Sequence, residues 1–321
     1  MIVSNLKYLI VIVSFSGFFY CLDGTRKIIW RALGYGDIDS SHSHEEGKLP
    51  PPPSQWFVNL TYHLRHHLEF GGSYFSGVIP IFDKILGTAV NYEHRTFAIT
   101  GADGVFGRAL IAYLVARKIK TIALTTRHNS SLTKEYDSKY IKVVVWKVGN
   151  YAAVKDALSE AHILICNHGI KPERFDSQSM GRAFEINVES HMVLAEIFFE
   201  TIKTSLDVAT KELWINTSCA EVIPVKSNTY ELTKKQLGFA FSLIRLEAPC
   251  IVRKLILEGF RSPLSPNVTI EAADIVPKLM NNARRDRRNI VISRNPLVHL
   301  LVIVKETLIY WLYRKSPVKS N

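Results

Sequence analysis

The feature that most constrains this chain is a rhythm that starts at residue 95, where short runs rich in Ile and Val alternate with longer amphipathic segments. TFAIT, KTIALTT, IKVVVWK, HILICN, ELWINTS and CIVRKLIL read as strands, with RNIVIS as a seventh. Strands that alternate with helix-length segments are the mark of repeated strand-helix units and a parallel sheet. The spacing predicts helices starting near Gly107, Ala152, Met180, Tyr230 and Ile270. The expected architecture is therefore α/β, a doubly wound parallel sheet over residues 95–295. A chain of 321 residues holds one such domain with sequence to spare.

The spare sequence is apolar and basic. Residues 7–22, KYLIVIVSFSGFFYCL, reach bilayer-spanning length only with help from Ile2 to Leu6. The run ends in Cys21, Leu22 and Asp23 without the small-residue pattern of a cleaved signal, so an uncleaved N-terminal membrane anchor is expected. Arg26, Lys27 and Arg31 follow it and place the rest of the chain on the cytoplasmic face. KLPPPPSQ closes this part as a stiff linker, giving an anchor-and-linker unit over 1–55. At the other end, residues 296–315 are apolar but interrupted by His299, Lys305 and Glu306. Those charges argue against a simple span, and an amphipathic helix lying in a membrane interface is expected over 296–321, the rival being a terminal helix docked on the protein's own core.

The net charge of +11 is concentrated around this second stretch: Arg284, Arg285, Arg287 and Arg288 precede it, and Arg314, Lys315 and Lys319 close it. Such flanks suit an anionic lipid surface, each charge adding about 1 kcal/mol. No nucleic-acid module accompanies them, so nucleic acid is not an expected partner. Cys21, Cys166, Cys219 and Cys250 form no pair motif or metal-like spacing, which fits a reducing compartment.

ITGADGVFGRAL, residues 99–110, follows the first strand with Gly101, Gly104 and Gly107 at intervals of three. In a doubly wound sheet this turn, with the first backbone N–H groups of the next helix at Val105 and Phe106, is where a dinucleotide pyrophosphate sits. The competing reading is a tight turn with no ligand. The second strand ends in ALTTRHNSS, with no carboxylate to accept from a ribose 2′-hydroxyl. Arg127 is placed for a 2′-phosphate, with Thr125, Thr126 and Ser130 as supporting donors and Arg108 as a second cation, so NADPH/NADP is the expected cofactor.

YELTK sets Tyr230 and Lys234 one helical turn apart on one face. A nearby ammonium stabilises a phenolate, which lets a tyrosine trade protons near neutral pH. INTSCAE brings hydroxyls at Thr217 and Ser218 to the end of the fifth strand, CNHG ends the fourth, and FEINVES carries Asn187 inside a helix.

Together these motifs resemble the short-chain dehydrogenase/reductase superfamily across residues 95–295, with its Rossmann fold. The resemblance implies that Tyr230 is the general acid or base, that Lys234 lowers its pKa and binds the nicotinamide ribose, that Ser218 polarises the substrate oxygen, and that Asn187 maintains a proton-relay water. Asn167 and Gly169 fall in its cofactor-binding motif after the fourth strand. Thr217 stays open as a rival to Ser218. The third strand ends WKVGN without the family's usual acidic residue, and Glu258 and Gly259 replace its Pro-Gly after the sixth strand.

HLRHH at 63–67, followed by LEFGGSYFSGVIPIFDKILGT, resembles the last histidine box and closing segment of the fatty acid hydroxylase/sterol desaturase family. The match covers residues 56–94 at most, the family's other boxes are absent, and no metal site is expected of His63, His66 and His67. The whole resembles the dehydrogenase half of bifunctional sterol desaturase/short-chain dehydrogenase proteins with the desaturase half truncated. The resulting expectation is a membrane-associated NADPH-dependent oxidoreductase acting on the carbonyl or alcohol of a lipid-like substrate, with room for a homodimer. The alternatives are a non-catalytic NADP-binding membrane scaffold and a metal-dependent lipid hydroxylase.

Overall fold

The computed structural model describes residues 49–314 apart from 69–72, 75–78, 173, 226 and 264. The expected N-terminal anchor and the terminal Lys315 and Lys319 lie outside the described residues.

Seven strands form one parallel sheet: β1 (Phe97–Thr100), β2 (Thr121–Thr125), β3 (Ile141–Val145), β4 (Ile163–Cys166), β5 (Glu212–Asn216), β6 (Ile251–Leu257) and β7 (Asn289–Ile292), in spatial order β3-β2-β1-β4-β5-β6-β7. Every pairing is parallel. All seven runs read from the sequence are strands. The order reverses between β1 and β4, and the carboxyl ends of those two strands open a crevice at the switch point where ligands of such sheets bind.

In chain order the α-helices are α1 (Leu60–Leu68), α2 (Ile81–Leu86), α3 (Val105–Val115), α4 (Leu132–Glu135), α5 (Ala152–Glu160), α6 (Ser177–Phe184), α7 (Ser190–Phe199), α8 (Ser205–Thr210), α9 (Asn228–Ile244), α10 (Ala272–Arg284) and α11 (Pro296–Tyr313). Five residues between α6 and α7, Glu185–Glu189, form one π turn, so the long helix expected from Met180 is interrupted. Two cores result, one on each face of the sheet. Phe106, Leu110 and Leu114 of α3 pack with Ile275, Leu279 and Met280 of α10 on one side. On the other, Leu194 and Phe198 of α7 meet Leu237 and Phe241 of α9.

The segment before β1 packs onto this domain. From the HLRHH stretch, Arg65 is buried and reaches Glu212 at the start of β5, Nη2 to Oε1 3.2 Å. Glu212 accepts from Arg253 as well, at 2.7 and 2.8 Å, and Arg253 also bonds Asp286 at 2.8 Å. Burial of these charges is tolerable because each is paired.

After β7, α11 packs on α9. Val298, Val302 and Ile309 face inward, and Lys305 and Glu306 lie on that same stripe. Lys305 Nζ is 2.6 Å from Glu221 Oε1, Glu306 Oε1 is 2.7 Å from Lys254 Nζ, and Glu306 Oε2 is 3.4 Å from Arg245. Of the residues that break the apolar run, Lys305 and Glu306 therefore point into the protein, while His299 stays exposed. Its outer face is apolar, with Trp311 80%, Leu312 75% and Ile303 63% exposed. Among the described residues α11 alone is a helix long and apolar enough to cross a membrane.

Candidate active site

The glycine turn sits between β1 and α3. Gly101 has φ +62°, and a Cβ there would lie 3.0 Å from the His168 Cα. A Cβ on Gly107 would overlap the Gly101 carbonyl, so helix and strand close to backbone contact. Gly104 caps α3 with extended backbone, and Arg108 N–H donates to its carbonyl. The N–H groups at Val105, Phe106 and Gly107 are the first of the helix and have no acceptor within it. This is a cradle that a side chain would fill, with a helix N-terminus aimed into it, and it fits a pyrophosphate.

The end of β2 differs from expectation. Thr125 and Ser130 hydroxyls donate to the Asp103 carboxylate, the latter at 2.9 Å, and Arg108 donates to Asp103 at 2.8 Å and to Glu135 at 2.8 and 2.9 Å. Burial opposes the Asp103 charge, but the Thr125 and Ser130 bonds and the Arg108 guanidinium outweigh it and hold its pKa below the ordinary value. The sequence shows no carboxylate after β2 because the acid arrives from the glycine turn. Arg127 is exposed at the rim, and its N–H donates to the Thr125 hydroxyl.

At the carboxyl ends of β4 and β5, Asn216 Nδ2 donates to Asn167 Oδ1 at 2.6 Å, and Lys234 Nζ donates to the Asn216 carbonyl at 2.9 Å. Burial pulls the Lys234 pKa down to about 8, against the attraction of Glu221. Tyr230 is partly exposed, with Lys234 Nζ 5.8 Å from its ring centre. Burial raises the phenol pKa; a hydrogen bond with the Ser218 hydroxyl works the other way. The net direction is up, set by burial, instead of the lowering expected from Lys234, whose ammonium donates to the Asn216 carbonyl. Thr217 is buried and donates to the Leu255 carbonyl at 3.3 Å. Ser218 is thus the hydroxyl that meets Tyr230.

Asn187 lies in the π turn, where Oδ1 accepts from Ile170 N–H at 2.8 Å and Nδ2 donates to the Ile170 carbonyl at 2.9 Å and to Thr233 at 3.1 Å. Its amide braces the loop after β4 against α9, beside Lys234. A Cβ on Gly169 would come within 3.1 Å of Asn187 Oδ1. His168, which sequence reasoning passed over inside CNHG, bonds Thr100 at 2.8 Å and Ser190 at 2.7 Å and stacks on His191 at 4.1 Å. Burial and the Lys234 ammonium push its pKa down to about 3, so it is neutral near pH 7.

His63, His66 and His67 are exposed on α1; His63 and His67 ring nitrogens lie 3.0 Å apart, and His66 Nδ1 meets the Tyr74 carbonyl at 3.0 Å. No group of three or more metal-ligating side chains is assembled among the described residues.

No family model matches the chain. Over 315 residues it is 36% identical to the monoglucosyldiacylglycerol epimerase of a Synechocystis species, covering 97% of this chain and 77% of that protein. The chain belongs to that epimerase's family. Its fold is that of short-chain dehydrogenases. A short-chain dehydrogenase of Burkholderia cenocepacia in complex with NADP aligns with TM-score 0.56 and 14% identity, covering 71% of this chain and 100% of the other. The bulky-bulky ketone specific alcohol dehydrogenase of Comamonas testosteroni aligns with TM-score 0.57 and 16% identity, over 71% and 98%. An NAD+-bound short-chain dehydrogenase of Leptospira borgpetersenii aligns with TM-score 0.53 and 16% identity, over 64% and 94%. These relatives do not show a desaturase fusion.

Proposed function

We propose that this member of the epimerase family inverts one carbinol centre in the sugar headgroup of a glycolipid, using a retained NADP(H), at a membrane surface. The observation that carries this is the meeting of Ser218, Tyr230 and Lys234 at the carboxyl end of β5, beside the glycine turn. The relative's substrate is a glycolipid by name, and the outer face of α11 is an apolar surface on which a lipid-bound sugar can be met.

The turn at Gly101–Gly107 and the α3 N-terminus would hold the pyrophosphate, and Arg127 the 2′-phosphate, since Arg108 is committed to Asp103 and Glu135. A nicotinamide bound there would supply reversible hydride transfer at the carbinol carbon. Tyr230 as phenolate takes the hydroxyl proton when the carbonyl forms and gives it back when the carbonyl is reduced. Ser218 donates to the same oxygen and fixes it opposite the phenol. Lys234, while protonated, favours the phenolate. Inversion of the carbinol centre in this way would leave no net redox change.

The test supplies monoglucosyldiacylglycerol, deuterated on the sugar carbons, in mixed vesicles to protein loaded with NADP+. Inverted product that keeps its label is the expected result. Product that acquires solvent hydrogen at the inverted carbon would mean proton abstraction and would sink the hydride reading. Tyr230→Phe is expected to slow turnover about 10²- to 10⁴-fold. Arg127→Glu is expected to weaken NADPH binding, read by nicotinamide fluorescence, and to leave NADH binding nearly unchanged.

A further inference from the structure

Ser218 begins a short 3-10 turn, Cys219–Glu221, and caps it by accepting from Ala220 N–H at 3.2 Å. The turn's last residue, Glu221, is buried and gripped from three sides. It lies so close on Gly238 of α9, one turn beyond Lys234, that a Cβ there would overlap its carboxyl. Lys254 of β6 and Lys305 of α11 both donate to its Oε1, while Oε2 is buried with no hydrogen bond among the described residues. A buried acceptor left unsatisfied costs free energy. The carboxylate is therefore located by the two ammonium groups on one oxygen and not by a full set of bonds. Val298 and Val302 of α11 also pack against Cys219 in the same turn.

We propose that Lys305 is a positioning residue for the active site: by holding Glu221 it fixes the turn that presents Ser218 to Tyr230, so the seat of α11 is part of the catalytic geometry. This rests on the proposed reaction and adds a regulator to it, because the helix that holds the turn is the one whose outer face meets lipid. A shift of α11 on that surface moves Lys305, and through it Ser218, along a chain of direct contacts.

The experiment replaces Lys305 with Met in the full chain. Lys254 keeps its second partner Glu306, so the fold is retained. The expected result is a kcat lower by about tenfold, with the KM for vesicle-borne monoglucosyldiacylglycerol and the affinity for NADPH within about twofold of wild type. Lys305→Arg restores kcat. Lys142→Met, which removes an ion pair with Glu160 exposed on both sides, is the matched control and leaves kcat unchanged. A second readout needs no substrate: the Tyr230 phenol is titrated by absorbance, isolated as the difference from Tyr230→Phe. Its midpoint is expected to rise in Lys305→Met, because the Ser218 bond that favours the phenolate is loosened. Should wild type prove inactive on the glycolipid, the proposed reaction falls and this titration still judges the positioning. Unchanged kcat and midpoint overturn it. So does a loss of cofactor affinity and thermal stability in step with kcat, which marks a plain structural role.

Discussion

Arg253 and Lys254 are neighbours in the middle of β6 and point to opposite faces of the sheet, and each anchors a different appendage. Arg253 holds the N-terminal segment through Glu212, which Arg65 also meets, and bonds Asp286 and the Arg287 carbonyl. The side chains of Arg65, Glu212, Arg253 and Asp286 are no more than 2% exposed. Lys254 holds α11 through Glu306 and the active-site turn through Glu221, but here Lys305, Glu306 and Arg245 reach solvent, at 22%, 12% and 20% side-chain exposure. The first cluster is the more enclosed, its outermost member being Arg288 on Asp286 at 13% side-chain exposure, and it includes none of Ser218, Tyr230 and Lys234. The second opens to the surface on which a lipid would lie and touches the turn that presents Ser218 to Tyr230. Equal charge in equally buried strand positions thus serves rigidity on one face and, in the proposal above, communication on the other.

The sharpest way to break this contrast is Glu212→Ala, which takes the shared carboxylate from the buried Arg65 and Arg253 and is expected to cost about 3–5 kcal/mol in urea unfolding. Surviving protein should bind NADPH normally; lost binding at full stability would show that the closed cluster also serves the site. The same cluster predicts an acid limit. Burial works against the Glu212 charge, but Arg253 and Arg65 outweigh it and hold its pKa at about 2, below the ordinary 4.5. Its contribution is fully present above pH 4.5 and is lost as pH falls toward 2, so unfolding midpoints should drop across that window and drop less in Glu212→Gln. On the open cluster, Lys305→Met should cost under about 1 kcal/mol of stability, since that lysine is part exposed. The smallest stability effect belongs to Trp311→Ser, within about 0.5 kcal/mol. Its co-sedimentation with anionic vesicles should nevertheless fall, and a large stability loss with intact vesicle binding would show that Trp311 packs against protein instead.

The strands were legible because a parallel sheet covered on both faces spells its strands as continuous apolar runs. Gly101, Gly104, Ser218, Tyr230 and Lys234 were legible because each motif is local, within one turn or one helical repeat. What escaped was long-range. Asp103 reaches the end of β2 only because the glycine turn folds over it. Glu221, Lys254, Lys305 and Glu306 are scattered over eighty-odd residues with no spacing to betray them. In HLRHH the histidines drew notice, yet Arg65 is the residue the fold buries. The π turn at Asn187 leaves no periodic signal, since a single widened turn shifts the pattern by only one residue.

Two unlike cations in succession also proofread β6. Sliding that strand by one residue against β5 would turn Arg253 toward the side where Gly238 and Ser242 leave space for one slender ammonium, and would offer Lys254 to a carboxylate shaped by a two-pronged guanidinium. Misaligned intermediates would carry mismatched charge in both cores at once. For this chain, single-residue insertions or deletions inside 251–257 should be the least tolerated length changes in the sheet.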